Sequence, residues 1–412
     1  MRYINIKKNS VLSIMMILII FSLTACKNKD NISTLDKNSR GELSISVPRK
    51  LISYINQYTE EFNKYYPNIK INISLEKDIS KGKKETDIII VKSEHTKYFL
   101  DKFEDDFLNL EEFLSKYKKD FKDSSMTNVS SDNGIHGIDL GSNPYLMIYR
   151  KDIYEKCKVN IEDIKTWDDY VKNSTYINKK LNKNYKFMHN YNNLDLYDVF
   201  LNQLEQGYKD KNGNETIISE EAIKAIELID IFNKNKIIYR EENNSLVEAL
   251  KNENVVSTIC MSTDVYNIME KLPSMKGEYI IKKIPAFNLA GNRNVIKNGY
   301  SMLVFKGKNN KLSRTFLKFM IENEQFQEKI FKDQKILPFN MNVYKSKNLN
   351  QKEEYFNHEN IFGLIYDIYK KSPNIKYDKD YEETRKNINR DLKVIEDNDF
   401  NIKNFIQKMF KK

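Results

Sequence analysis

Between Gly134 and Tyr170 the chain reads GIHGIDLGSNPYLMIYRKDIYEKCKVNIEDIKTWDDY. Its middle, Tyr145 to Tyr149, is an unbroken apolar run held between Gly141-Ser-Asn-Pro144 and Arg150-Lys-Asp152. A run this short, closed on both sides by turn formers and charges, predicts a strand buried on both faces. Asp152 is placed to cap a short helix after it. Thr166-Trp-Asp-Asp169 spells a capping box, in which hydroxyl and carboxylate satisfy the free backbone N–H groups at a helix start. Such a loop, buried strand and pair of helices is what a chain needs where it leaves one folded body and enters another.

The rest of the sequence supplies two bodies. Leu43 to Val47 alternates as a strand, and Leu51, Ile55, Tyr58, Phe62 and Tyr65 recur at helical spacing until Pro67 ends the helix. Ile69 to Leu75 alternates again, and Asp87 to Val91 is a third, apolar strand. Strands alternating with helices imply right-handed crossovers and a mainly parallel sheet. Further on, Ser219 is expected to cap a helix with Ile223, Ile226, Ile229 and Phe232 on one stripe, a helix runs from Ser245 to Asn252, and Val255 to Met261 is a strand. The chain is expected to cross back around Tyr279 to Pro285 and to form a strand at Met302–Phe305 and a helix over Lys311–Asn323. No internal repeat is visible.

The first 25 residues pair a basic start (Arg2, Lys7, Lys8) with an apolar stretch from Val11 to Phe21, shorter than the roughly 20 residues that span a bilayer. They read as a secretory leader. Leu23-Thr24-Ala25-Cys26 looks like a bacterial lipobox, with Cys26 the lipidated first residue and residues 26–40 a polar tether. The formal charge of +10 is interleaved rather than blocked, which argues for solubility and against a nucleic-acid stripe. Cys157 and Cys260 form no disulfide framework and read as small buried hydrophobes.

The ordered combination of Gly137-Ile138, a polar and proline segment, an apolar strand ending in Tyr149-Arg-Lys-Asp152, and Thr166-Trp-Asp-Asp169 resembles the hinge region of the sugar-binding family of extracellular solute-binding proteins, the receptors of ABC importers. Phe62, Pro67, Ile69 to Ile73 and Asp87 to Val91 match its first lobe. Asn298-Gly-Tyr-Ser301 resembles its Gly-Gly-apolar strand, with Asn298 in place of the first glycine, and Leu337-Pro338 matches its later proline. The resemblance implies an α/β, two-lobed periplasmic-binding-protein-like fold (type II), each lobe a mainly parallel sheet flanked by helices, joined by a multi-crossing hinge. Residues 41–144 and 285–323 would make the N-terminal lobe, and 145–284 and 324–412 the C-terminal lobe. It further implies a monomeric, lipid-anchored receptor on the extracytoplasmic face of the cell membrane, without cofactor or metal. Such a receptor captures a solute, expected to be a carbohydrate, and passes it to the transmembrane subunits of an ABC permease by hinge closure.

In open α/β sheets ligands lie beyond the carboxyl ends of the strands. That rule selects Arg49 and Lys50; Ser93, Glu94 and His95; Asn143 and Tyr145; Asn190, Tyr191 and Asn192; Ser262, Asp264 and Tyr266; and Asn298, Gly299 and Tyr300. Amides, hydroxyls, charges and tyrosine rings suit the hydroxyl edges and apolar faces of a sugar. Trp167, the sole tryptophan, starts a helix and is expected to pack rather than stack on ligand. No G-x-S-x-G or phosphate loop is present, the four histidines are never at metal-ligand spacing, and neighbouring carboxylates diverge by about 100° on a helix. The rivals are an extracytoplasmic lipoprotein enzyme and a non-transporting sensor on the same scaffold.

Overall fold

The computed structural model describes residues 35–75, 86–189, 192–210, 212–240, 245–253, 255–374, 377–396 and 399–411. The leader, Cys26, Asn190 and Tyr191 lie outside the described residues, as do the side chains of Asn298 and Glu396. Thirteen strands are described: β1 Gly41–Val47, β2 Ile69–Leu75, β3 Ile88–Lys92, β4 Ser130–Ser131, β5 Gly134–Ile135, β6 Gly137–Asp139, β7 Ser142–Arg150, β8 Met188–His189, β9 Ile238–Tyr239, β10 Ser257–Met261, β11 Tyr279–Lys282, β12 Ile296–Asn298 and β13 Tyr300–Val304. The longer helices are α1 Ile52–Tyr65, α2 Thr96–Phe103, α3 Trp167–Leu181, α4 Asn193–Gln203, α5 Glu220–Lys234, α6 Ser262–Lys271, α7 Asn310–Glu322, α8 Glu324–Gln334, α9 Ile361–Lys371, α10 Tyr381–Leu392 and α11 Ile402–Met409.

The first lobe is a five-stranded sheet in the order β2-β1-β3-β13-β6. In the second lobe β10 and β11 flank β7, a parallel bridge from Lys186 to Val255 ties β8 to the β10 side, and β8 pairs with β9. The order there is β9-β8-β10-β7-β11, the same pattern. In each lobe the only antiparallel member of this order is the strand that has just arrived from the other lobe: β13 against β3 and β6, β7 against β10 and β11. A strand entering from the cleft edge has to run opposite to strands that end there, so the mainly parallel sheets expected from the sequence each carry one reversed strand.

β7 is buried along its length apart from the half-buried Asn143 and is longer than the apolar run that announces it, because its first residues, Ser142 to Pro144, pair with β12. This short pairing lies at the hinge. Gly299 is required here: a Cβ on it would meet the Gly141 carbonyl at 2.3 Å. Gly141 itself has φ +95°, open to glycine and costly for other residues. The return to the first lobe, expected around 279–285, falls at β12. Residues 285–295 are held against the second lobe by Trp167 N–H donating to the Ala286 carbonyl at 2.9 Å and by the Gln203 amide donating to Pro285 O at 2.7 Å and Asn292 O at 2.6 Å.

Local signals behave as their chemistry requires. Thr166 and Asp169 form the capping box of α3, and Ser219 caps α5 through the Ala222 N–H. Asp152, expected to cap, sits inside the next helix, where its carboxylate accepts from the Nε and Nη2 groups of Arg150, each at 2.8 Å. Cys157 and Cys260 are buried and unpaired, as their reading as hydrophobes requires. The Trp167 ring is buried at 2% exposure between Tyr170, Phe200 and Phe232, with its indole N–H on the Gln203 carbonyl oxygen at 2.9 Å. Among the described residues no helix is long and apolar enough to cross a membrane. Trp167→Phe should leave the Gln203 oxygen without a donor and lower unfolding stability by about 1–3 kcal/mol. Urea unfolding followed by far-UV circular dichroism reads it, and an unchanged midpoint would refute this role.

Candidate functional site

The carboxyl ends of β1 and β3, the start of β13 and the hinge share one edge of the first lobe. Tyr300 is paired with Lys92, and Ser93 N–H donates to the Gly299 carbonyl at 3.0 Å. Arg49 and Lys50 are exposed after β1. Glu94 and His95 follow β3, with the Lys92 ammonium 3.2 Å from the Glu94 carboxylate. On the facing edge Tyr145 pairs with Met261, and the Ser262 hydroxyl reaches the Asn143 carbonyl oxygen at 3.5 Å. Asp264 caps α6 on Met261 N–H at 2.8 Å. Asn192 caps α4 on Asp195 N–H at 2.7 Å.

Three of the selected residues are used elsewhere. Tyr266, two residues beyond Asp264 on a helix, points into the hydrophobic cluster behind the sheet, edge-on to Phe331 at 5.3 Å. Tyr300 packs against the first-lobe core. Ser93 is buried and donates to Asp139 at 3.4 Å, beneath the cleft rather than in it. That Asp139 carboxylate also takes the Gly141 N–H at 2.7 Å, next to the hinge, and its burial pushes its pKa up to about 7. Burial lowers Lys122 to about 8; its ammonium donates to the Ser372 hydroxyl and lies over the Tyr369 ring at 5.4 Å, joining the first lobe to the end of α9.

The sequence reading missed the segment that closes the cleft. Tyr377, Tyr381 and Arg385 lie four residues apart, the spacing of one helix face, although α10 begins only at Tyr381 and Tyr377 sits in the approach to it. The Arg385 guanidinium binds Asp198 at 3.1 Å and Asp195 at 3.3 Å on α4, and Tyr208 donates its hydroxyl to Asp198. Burial raises the Asp198 pKa to about 6 against the opposing pull of Arg385. Burial also raises the Tyr145 hydroxyl, and Asp198, Asp195 and Asp264 add to it. The same segment reaches the other lobe: Glu382 on α10 meets His95 at 2.7 Å, and Lys379, in the turn before α10, meets Asp101 at 3.3 Å. The only hint in the sequence was that spacing, inside what reads as a Lys/Asn-rich tail.

Glu94, His95 and Glu382 bring one donor atom each within 4.8 Å of the others, the one set among the described residues with metal-ligand geometry. Lys92 already neutralises Glu94 and His95 already holds Glu382, so these groups satisfy one another as an interlobe contact.

Two lobes of matching strand order, linked by strands that cross at a glycine hinge and facing each other with polar and aromatic groups, define a bilobal binding protein. The chain belongs to the bacterial extracellular solute-binding protein family, whose model matches residues 49–325. It is 24% identical over 358 residues to the arabinooligosaccharide-binding protein of Bacillus subtilis (strain 168), covering 82% of each chain, and 22% identical over 257 residues to that of Halalkalibacterium halodurans, covering 60% of this chain and 58% of the other. Its fold matches the sugar-binding protein MalE of Xanthomonas citri (TM-score 0.75, 12% identity, 90% and 96% of the chains). It also matches the galacto-N-biose-/lacto-N-biose I-binding protein of Bifidobacterium longum (TM-score 0.70, 13% identity, 90% and 96%).

Asp139 sets a pH prediction. An aspartate in the unfolded chain titrates near 3.8 and this one near 7, so between those values the folded state binds the extra proton and stability falls as pH rises. Asp139→Asn should remove that decline. Melting temperatures of both proteins from pH 4.5 to 8 decide it: the variant should gain on the wild type as pH rises, and a constant difference would refute the assignment.

Proposed function

We propose that this chain captures a carbohydrate between its lobes and delivers it to the membrane subunits of an ABC importer. Glu94, His95, Asn143, Tyr145 and Asp264 stand on the cleft walls, joined by Tyr377, Tyr381, Asp195, Asp198 and Arg385. The observation that carries the reading is α10 contacting both lobes, α4 through Arg385 and the loop after β3 through Glu382. The two interlobe contacts of this segment, Glu382 with His95 and Lys379 with Asp101, are exposed and worth about 0–1 kcal/mol each, so they can break and re-form as the lobes move. A ligand touching both walls favours the closed form by its differential affinity, and closure brings together the surface a permease reads. Relatives named for arabinooligosaccharides support an oligosaccharide.

Cys26 is proposed as the lipid anchor, with two acyl chains providing stable attachment. Catalysis is not proposed: of the two carboxylates that burial raises on these walls, Asp198 is engaged by Arg385 and Tyr208 and Asp264 by the Met261 N–H. The division into 41–144 with 285–323 and 145–284 with 324–412 is kept as a proposal, with residues 285–295 reassigned to the second lobe. In a thermal-shift screen of neutral mono- and oligosaccharides, the right ligand at a hundred times its Kd should add about 2.7 kcal/mol of stability. Small-angle scattering should show contraction with the same ligand, and tight binding at unchanged radius would overturn closure.

A further inference from the structure

A cavity of about 570 Å³ lies beside the cleft, within the about 300–1,000 Å³ typical of small-molecule sites. One wall is the turn after α4, with Asn202, Glu205 and Lys209; the other is the approach to α10, with Asn374, Tyr377 and Asp378. The two walls are fastened together. The Lys209 ammonium binds Asp380 at 3.0 Å and Asp378 at 3.9 Å, and the Tyr208 and Tyr381 rings stack at 5.0 Å with planes 4° apart. The space is therefore framed by contacts on both sides.

Tyr377 lines this cavity. Its ring is half-buried and packs edge-on to Tyr381 at 4.7 Å. Burial raises its hydroxyl's pKa, and Glu94, Asp198 and Tyr145, groups of the cleft wall, are each near enough to raise it further. A ligand lying across Tyr377 would enter both spaces. The side-chain amides of Asn202 and Asn374 and the Glu205 carboxylate make no hydrogen bond among the described residues, which leaves planar donors and acceptors for hydroxyl groups. Glu205, Asp210 and Asp378 outnumber Lys209 around the rim, so the space disfavours anionic sugars.

Resting on the carbohydrate reading above, we infer that this cavity is a second subsite, which takes the distal units of a neutral oligosaccharide whose first units fill the cleft. The Tyr377 ring is the platform at the boundary. The cleft then selects the sugar, and the cavity selects chain length.

The test is isothermal calorimetry with neutral arabino-, xylo- and malto-oligosaccharides of one to six units. The proteins are the wild type and an Asn202→Ala, Asn374→Ala double variant, whose side chains lie outside the cores. Wild-type affinity should rise at the length that passes Tyr377. The double variant should lose about tenfold on the longer chains while binding the shortest binding member as before, with its melting temperature unchanged. A wild type that binds with no length preference, or a variant that weakens short and long chains alike, overturns the subsite and leaves the cleft reading standing. If the wild type binds no member of the series, both fall.

Discussion

The structure depends on one strand being accepted by two sheets. β7 opens against β12 at the hinge and continues between β10 and β11 in the second lobe, and eight of its nine residues are buried. Backbone groups removed from water have to be paired along the whole length, so the strand cannot slip or fray without exposing unmet N–H and C=O groups in both places. Rotation between the lobes is thereby confined to the short stretch around Gly141 and Gly299, where the absence of side chains lets two backbones touch. Closure of the lobes, as proposed, would therefore turn them as bodies, because the strand that connects them is fixed at either end.

Much of this was legible. The apolar run at Tyr145–Tyr149, the Thr166–Asp169 box and the strands of the first lobe are local signals, and local signals survive folding because their partners are near in sequence. What was not legible follows from distance. The return at β12 was expected too early because nothing in Pro285–Val295 says that Gln203 and Trp167 hold it. Tyr266 reads like any residue beyond a strand end, and only the helix rotation turns it inward towards Phe331.

The wall made by α10 was hidden for a related reason. Its residues are polar and interrupted by lysines, the composition of a solvated tail, and the face bearing Tyr381 and Arg385, with Tyr377 just before it, gains meaning only from Asp195 and Asp198 nearly two hundred residues earlier. Partly buried charge is tolerated there because guanidinium, carboxylates and a phenol satisfy one another. The same reasoning explains why Ser93 faces down to Asp139: a buried carboxyl next to a hinge needs donors, and the neighbouring loop provides one.

The slot for β13 between β3 and β6 bears on how the protein is made. Those two strands are not neighbours in the finished sheet, and residues 300–304 fill the space between them. As the polypeptide leaves the ribosome, its first lobe stays incomplete until residues 145–284 of the second have been synthesised, which postpones tight packing. A precursor that must be threaded through a membrane channel before it folds gains time from that delay.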